Sequence, residues 1–220
     1  FDFVKNIKEN FGMKNNDFED VVLNRKSVKV FDEQVKIPRT EMDEMIQKAT
    51  KAPSSVNMQP WRFLVVESEA GKEKLKPLVR FNTRQNDTSA AMVIIFGDMQ
   101  NYEYGEDIYH NAVLNGYMPE EVKVEMLGKI LPLYKSLNRA EMNDIIKIDS
   151  SLAAMQFMLV ARSYGYDTNP IGGFEKDQIA EAFDLDPERF EPVMIVAIGK
   201  AKNPGHDSYR LSAETVTKYV

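Results

Sequence analysis

Apolar runs and amphipathic segments alternate along the chain, and the apolar runs predict buried strands. Residues 61–67 and 90–97 are the first two predicted strands, and 193–199 is the third. The run at 91–96 is apolar at every position, which is typical of a strand covered on both faces. Short runs of this kind, bounded by polar segments, favour strands over helices.

Helical spacing of apolar residues predicts five helices: 15–24, 41–51, 70–80, 141–164 and 175–183. Thr40 is the expected N-cap of the second. The longest of them is apolar on almost every face over 152–161, which indicates a helix enclosed by its own domain or by a partner subunit. Gly165 is a natural stop for this helix.

Two further segments have patterns that predict structure outside the main layers. Residues 106–137 are charged and helical in pattern with a break near Pro119, and the wider region 100–137 is interpreted as a surface excursion or a lid over a site. The segment 203–220 begins with Pro and Gly and ends in alternating β-prone residues. We expect this tail to add to a sheet, with a neighbouring subunit's sheet among the candidates.

Interior strands interleaved with helices predict a layered α/β or α+β architecture, and residues 1–220 are interpreted as one domain. No G-x-G-x-x-G follows a predicted strand and no G-x-x-x-x-G-K-[ST] occurs. Dinucleotide-binding and P-loop folds are therefore poor fits.

The composition excludes several classes of function. The 220 residues carry a net charge of −6, which argues against a general nucleic-acid surface. The sequence has no Cys and only His110 and His206, so thiolate chemistry and a His-rich metal centre are excluded and no metal site is expected. The lack of Cys fits a reducing cytoplasm. No apolar run is long enough to span a membrane, and residues 1–5 are too charged for a secretory signal.

A basic cluster comprises Arg25, Lys26, Ser27 and Lys29. In isolation such a cluster is more often a solvated helix end. The alternative is phosphate capture, in which Arg25 supplies a bidentate fork, a lysine adds charge and Ser27 donates a hydroxyl.

A polar loop precedes the first predicted strand and contains Pro53, Ser54, Ser55 and Asn57 before Gln59-Pro60-Trp61. Alone, a loop of this composition is usually a turn. Its many hydroxyl and amide groups could also bind the edge of a heterocycle. Trp61, the single Trp, is interpreted as a core residue.

Three other groups are ordinary by themselves. They are Asn82 with Gln85 in a polar segment, the turn-like Pro170-Ile171-Gly172-Gly173, and the late Arg210. Two adjacent glycines would let backbone approach a planar ligand without an intervening Cβ.

The order of these motifs, R-x-S-x-K, A-P-S-S-x-N-x-Q-P-W, N-x-x-Q, P-I-G-G-F and a late Arg, resembles the nitroreductase family of flavin oxidoreductases over about residues 25–220. The resemblance implies an α+β fold with a central mixed or antiparallel sheet flanked by helices. It also implies an intertwined homodimer holding FMN at the subunit interface. Residues 149–164 would then form the dimer core, and 203–220 would be an arm exchanged with the partner subunit.

The resemblance also implies residue roles. Arg25, Lys26, Ser27 and Lys29 would contact the ribityl phosphate and pyrimidine edge, with Arg210 as a further phosphate ligand. Pro53, Ser54, Ser55 and Asn57 would come from the other subunit. Asn82 and Gln85 would meet the pyrimidine oxygens, while Pro170, Ile171, Gly172 and Gly173 would lie along one flavin face with a backbone N–H near N5.

The implied activity is hydride transfer from NADH or NADPH through FMN to nitroaromatic, quinone or similar electrophilic acceptors by a ping-pong mechanism, without a catalytic side chain. Two departures from the family pattern are Lys29, where many relatives carry Arg, and Gly172, where some carry Glu. The alternatives are a reductive dehalogenase or flavin-fragmenting enzyme of the same fold, or a flavin-binding module with little turnover. A hydrolase is the weakest option, because no G-x-S-x-G motif occurs.

Overall fold

The computed structural model describes residues 15–220 and contains a four-stranded antiparallel sheet. The strands are β1 (Trp61–Val66), β2 (Ala91–Asp98), β3 (Asp167–Ile171) and β4 (Phe190–Gly199), in the order β1-β2-β4-β3. The three strands predicted from apolar runs are confirmed. The N-terminal residues 1–14, which include the charged start of the chain, lie outside the described residues.

Strand β3 corrects the interpretation of 170–173 as a turn. Pro170 and Ile171 are the last two residues of this strand, opposite Val196 and Ile195 of β4. β3 lies at one edge of the sheet, where a residue without a backbone N–H interrupts no ladder between two neighbours. The Pro-Ile-Gly-Gly sequence therefore marks a strand end, with the glycines just beyond it.

Nine α-helices are found in the described residues. They are α1 (Phe18–Asn24), α2 (Arg39–Ala49), α3 (Glu69–Leu75), α4 (Thr83–Thr88), α5 (Gly105–Leu114), α6 (Glu120–Ser136), α7 (Arg139–Ser163), α8 (Lys176–Ala182) and α9 (Ala213–Val216). Short 3₁₀ segments occupy Ser55–Asn57, Lys76–Leu78, Arg80–Asn82 and Asn101–Tyr104.

The start of α2 differs from the prediction. Its N-cap is Pro38, and the N–H of Met42 bonds to the Pro38 carbonyl, so Thr40 lies inside the first turn. The proline ring fixes φ, and at Pro38 this φ is combined with an extended ψ of 140°, which suits the residue preceding a helix. Thr40 is therefore not the cap.

Helix α7 is the central helix of the fold, and its sequence defines both ends. Asn138 and Glu141 form a reciprocal capping box at the start. Gly165, at φ 83°, closes the end with two backbone bonds, from Gly165 N to Arg162 O and from Tyr166 N to Ala161 O. The predicted glycine stop is confirmed.

Apolar layers cover both faces of the sheet. Val93 and Ile95 of β2 pack with helices α2 and α7, whereas Ile94 and Phe96 pack in a second cluster with α8. All eight residues of β2 are buried, as its continuous apolar run predicted. Trp61 is also buried in the core, beside Ala153 of α7.

Helices α5 and α6 form the excursion expected at 106–137, with Pro119 as the N-cap of α6. A third apolar cluster holds them to the start of α7 and includes Met58, Tyr109, Tyr134 and Met142. The helical pattern and its break are confirmed. A lid role stays a prediction, as does the assignment of residues 1–220 to one domain.

The tail corrects another expectation, because residues 203–220 form no strand in this chain. Ser212 caps the short helix α9 by accepting a hydrogen bond from the Thr215 N–H. The exposed edge of β3 is partly occupied by residues 27 and 28, which pair with Thr168. Addition of the tail to a neighbouring subunit stays a prediction. Among residues 15–220, no helix is long and apolar enough to cross a membrane.

Candidate functional site

The predicted phosphate residues line one cavity of about 570 Å³, here called the basic cavity. Residues from the cluster at 25–29 form one side, and Arg210 reaches it from the tail, although 181 positions of sequence separate Arg210 from Lys29. Its charged and polar lining residues are Arg25, Lys26, Ser27, Lys29, His206, Asp207, Ser208 and Arg210. The size is within the range of small-molecule sites.

Pairing with the sheet positions this cluster. Helix α1 ends at Asn24, and the C-cap residue Arg25 that follows has an extended backbone. Ser27 then forms a parallel bridge with Thr168, and the Val28 N–H donates to the Thr168 carbonyl at 3.0 Å. The cluster therefore runs beside β3, the strand that ends at Pro170 and Ile171.

Arg25 carries a buried donor without an acceptor. Its Nη1 atom is inaccessible and has no hydrogen-bond partner in the described part of the chain. Buried polar atoms are nearly always hydrogen-bonded, and a guanidinium group pairs best with a carboxylate or phosphate. The donor set around it is thus suited to an anion, and it fits the phosphate of FMN.

The tail is held against the cluster by a close approach at Gly205. A Cβ atom at this position would lie 2.6 Å from the Lys26 Cβ and 3.0 Å from the Ser27 carbonyl oxygen. Beyond it, Asp207 pairs with Lys26 Nζ at 2.6 Å, and this hydrogen bond lowers the pKa of the Asp207 carboxyl. Arg210 Nη1 donates to Ser208 Oγ at 2.6 Å.

Asn82, Gln85 and Gly173 form a second group. Asn82 Nδ2 donates to the carbonyls of Gly173 (3.0 Å) and Val79 (3.1 Å), and Gln85 Nε2 donates to Asn82 Oδ1 (3.1 Å). These bonds fix the amide planes next to the end of β3. Apart from its two chain neighbours, no described residue would come within 4 Å of a Cβ atom on Gly172, so the space beside it is open.

The polar loop lies in a third place. The Ser55 backbone N–H and Oγ–H both donate to Asp149 of α7, at 2.9 and 3.1 Å. Ser54 Oγ accepts from the Gln59 N–H at 3.1 Å. Within residues 15–220, no hydrogen bond or ion pair joins Pro53, Ser54, Ser55 or Asn57 to the basic cavity. A single chain therefore brings the residues at 25–29 together with Arg210, and it brings Asn82 and Gln85 together with Gly173. The loop at 53–57 lies apart from both groups.

Comparison with known proteins identifies the family. A sequence model of the Nitroreductase family matches residues 22–200. The chain belongs to the nitroreductase family. A Bacillus subtilis relative, YdgI, whose name marks it as a candidate NAD(P)H nitroreductase, is 49% identical over 94% of this chain and 99% of its own.

Two further members of the nitroreductase family are informative about ligands and reactions. A crystal structure of an Exiguobacterium sibiricum protein, described as a candidate nitroreductase in complex with FMN, has a TM-score of 0.92 and 47% identity, covering 96% of this chain and 100% of that one. A Lactiplantibacillus plantarum protein named CLA biosynthesis enone reductase is 39% identical over 94% of this chain and 95% of its own. The predicted α+β nitroreductase fold is therefore confirmed.

Sequence reasoning missed two residues that contact the predicted site residues. Asp207 pairs with Lys26, and Asp149 binds the polar loop from within the core. Asp149 lies three residues before the apolar stretch 152–161 of α7, and an isolated acid so close to such a run was the available signal. Asp207 had no comparable signal, because its role depends on the tail folding back.

Proposed function

We propose that this protein is an FMN-dependent oxidoreductase that takes hydride from NADH or NADPH and delivers it to electrophilic acceptors such as nitroaromatics and quinones. The observation that carries the proposal is that Arg25, which lines the basic cavity, has a buried Nη1 donor without a hydrogen-bond partner in the described part of the chain. It is supported by the FMN complex of the 47% identical relative.

The residues present fit FMN. Arg25, Lys26, Lys29 and Arg210 offer positive charge for its phosphate, and Ser27 offers a hydroxyl. When bound, FMN supplies hydride acceptance and donation at its N5 atom.

The remaining residues position and polarise the cofactor. Asn82 and Gln85, held by their mutual bond, orient the pyrimidine edge. The open space beside Gly172 admits a planar ring, and backbone N–H groups of Gly172 and Gly173 would donate near N5. Lys26 and Lys29 favour negative charge on the adjacent ring edge. No side-chain nucleophile is needed.

The complete site would require a second copy of the chain. Pro53, Ser54, Ser55 and Asn57 lie apart from the basic cavity, so they would serve the cavity of the other subunit. The outer edge of β1 pairs with no strand among residues 15–220, and an exposed tail beyond residue 211 is available to cross to a partner. An edge of this kind favours strand addition.

An enone is a second candidate acceptor. The 39% identical relative is an enone reductase, and reduction of a polarised C=C bond needs the same hydride at FMN N5 plus one proton. The same site would accept hydride from NAD(P)H, releasing NAD(P)⁺, and pass it to the β-carbon. A proton from solvent would reach the α-carbon, which leaves the product saturated. Nitroaromatic and enone turnover are therefore compared directly.

The test uses purified protein reconstituted with FMN. We expect a yellow protein whose flavin absorbance is bleached by NADH or NADPH without oxygen and restored by menadione, a nitroaromatic or an enone. Parallel lines in double-reciprocal plots would support ping-pong exchange, and intersecting lines would contradict it. Colourless protein after reconstitution would overturn the proposal. Flavin-loaded protein without turnover would favour a binding module, and halide release from a halogenated aromatic would favour a dehalogenase.

A further inference from the structure

The polar loop holds an unusual backbone conformation. Val56, Asn57 and Gln59 have φ values of 44°, 56° and 47°, so three residues among four consecutive positions are left-handed without a glycine. For a β-branched residue such as Val56 this region is a true outlier. Such conformations persist only where the surrounding structure imposes them, and they cluster at ligand sites.

Three side chains from elsewhere in the fold impose it. Asp149 accepts both hydrogen bonds of Ser55, from the backbone N–H and from Oγ. Tyr109 donates its hydroxyl to the Val56 carbonyl at 3.0 Å, and Tyr134 donates to the Ser55 carbonyl at 3.4 Å. All three side chains are buried, and we call them the loop clamp.

Burying the three clamp side chains costs free energy, because a carboxylate and two phenols are removed from water. Burial raises the pKa of Asp149, and burial together with the nearby Asp149 charge raises that of Tyr134. An apolar residue at any of these positions would avoid this desolvation. Packing alone therefore does not account for the choice of polar residues.

The Ser55 hydroxyl is already committed to Asp149, within its own chain. Ser54 Oγ accepts one bond from Gln59 N–H and keeps its own hydrogen available. The clamp thus commits Ser55 to α7, and it leaves the Ser54 hydroxyl hydrogen without an acceptor among residues 15–220, while Asn57 is exposed. The loop conformation decides which groups the loop can offer to a ligand.

We infer that Asp149, Tyr109 and Tyr134 are positioning residues that hold Ser54–Gln59 in the strained form able to complete the FMN site of a second subunit. This inference rests on the proposed function. Two of the three residues belong to α5 and α6, so the excursion sets the geometry of the cofactor loop. The excursion would then act on FMN binding through the loop, apart from any contact with the acceptor.

Hydrogen exchange of the FMN-free protein tests the clamp itself. In Tyr109→Phe and Asp149→Ala we expect faster exchange of the Asn57, Met58 and Gln59 amides, with unchanged exchange in β2. Asp149→Asn should recover part of the protection, because its carbonyl oxygen can still accept one Ser55 bond. Unchanged exchange at the loop in both Tyr109→Phe and Asp149→Ala would overturn the clamp.

FMN titration tests what the clamp does. The Tyr109→Phe variant loses one neutral hydrogen bond, so its dissociation constant for FMN should be roughly threefold to tenfold higher than that of the wild-type protein. Tyr134→Phe should have a smaller effect, because its 3.4 Å contact is long. Tyr117→Phe is the matched control, since Tyr117 is an exposed tyrosine of the same excursion and its hydroxyl makes no hydrogen bond within residues 15–220.

A double substitution separates positioning from general destabilisation. Gly adopts left-handed φ without strain, so in the Val56→Gly background the Tyr109→Phe effect on the FMN dissociation constant should shrink. An undiminished effect in that background would overturn action through the backbone of the loop. If the wild-type protein binds FMN and the clamp variants bind it equally well, the inference fails while the proposed function stands. If the wild-type protein binds no FMN, both fail.

Discussion

At the scale of single residues, Arg25 stands out because its buried Nη1 donor has no acceptor among residues 15–220. A charge-assisted hydrogen bond to phosphate contributes about 1.5–3 kcal/mol, so we expect Arg25→Ala to weaken FMN binding roughly 10- to 100-fold. The FMN affinity of Arg25→Lys should lie between those of the wild-type protein and Arg25→Ala, because lysine keeps the charge but loses the bidentate geometry of the guanidinium group. Flavin fluorescence titration measures the change. Arg139→Ala removes an exposed arginine paired with Glu188 and should leave affinity unchanged; an equal loss there would contradict a specific role for Arg25.

Gly205 gives a steric prediction at the same scale. In Gly205→Ala the new Cβ would lie 2.6 Å from the Lys26 Cβ, and the Ser27 backbone cannot withdraw from Thr168. We expect the tail to leave the cluster, carrying Asp207 and Arg210 away from the basic cavity.

The expected result is faster proteolysis after residue 205 and weaker FMN binding. Gly128→Ala is the control, because a Cβ there meets nothing within 4 Å and alanine stabilises a helix by about 0.5–1 kcal/mol. Undisturbed tail protection in Gly205→Ala would show that the tail is held by other contacts.

At the scale of elements, two tyrosines join the end of α7 to α2 and should make the stability sensitive to alkaline pH. Tyr164 Oη donates to Glu44 at 2.9 Å and accepts from Lys48 Nζ at 2.6 Å, while Tyr166 donates to Glu41. Burial, followed by the hydrogen bond to Glu44, raises the pKa of Tyr164 to about 12 from 10.0, and burial also raises that of Tyr166.

The sign of the pH dependence follows from the direction of the shift. The unfolded chain ionises Tyr164 near pH 10 and the folded chain only near pH 12, so the stabilisation is complete below about pH 10 and is lost as pH rises to about 12. Urea midpoints measured over this range should fall more steeply for the wild-type protein than for Tyr164→Phe. Tyr219→Phe, at an exposed position, should follow the wild-type curve; identical slopes for all three would contradict the assignment.

The elements also show what sequence patterns can and cannot predict. Strand β2 was predictable because burial on both faces leaves an unbroken apolar run. Helix α7 was predictable from its apolar residues and from the Gly165 that ends it. Strand β3 was missed because it contains Pro170, which an edge strand tolerates, and because its five residues are too few to show a clear alternation of apolar and polar positions. The tail pattern at 215–220 predicted a strand, whereas in this chain the Ser212 side chain caps a helical turn at Ala213–Val216.

At the scale of the whole molecule, the candidate site was predictable in its parts and only partly in its assembly. The order of motifs indicated which residues matter, and the fold brings Arg210 to the cluster at 25–29. The loop clamp was not predictable, because Tyr109, Tyr134 and Asp149 approach the loop from three separate positions on the chain. Tertiary contacts of this kind leave no local pattern.

The proposed dimer follows from the exposed face of α7. Ile148, Leu152 and Met155 share one side of the helix by their spacing of four and three residues, and are 63%, 43% and 41% exposed. Met155 also lines the basic cavity, so a subunit packed on this face would close the site from outside. Exposed apolar stripes of this kind mark interfaces.

A charge placed on this face of α7 should dissociate the dimer and, as a result, weaken FMN binding. For Leu152→Asp we expect a monomer in sedimentation experiments, because burying an unpaired carboxylate at the interface costs several kcal/mol. FMN affinity should fall in parallel, since Ser54 and Asn57 of the other copy would be lost. Leu114→Asp, at a position 69% exposed near the end of α5, is the matched control and should remain a flavin-loaded dimer. A Leu152→Asp monomer that still binds FMN with full affinity would show that one chain suffices and that the loop at 53–57 has no part in the site.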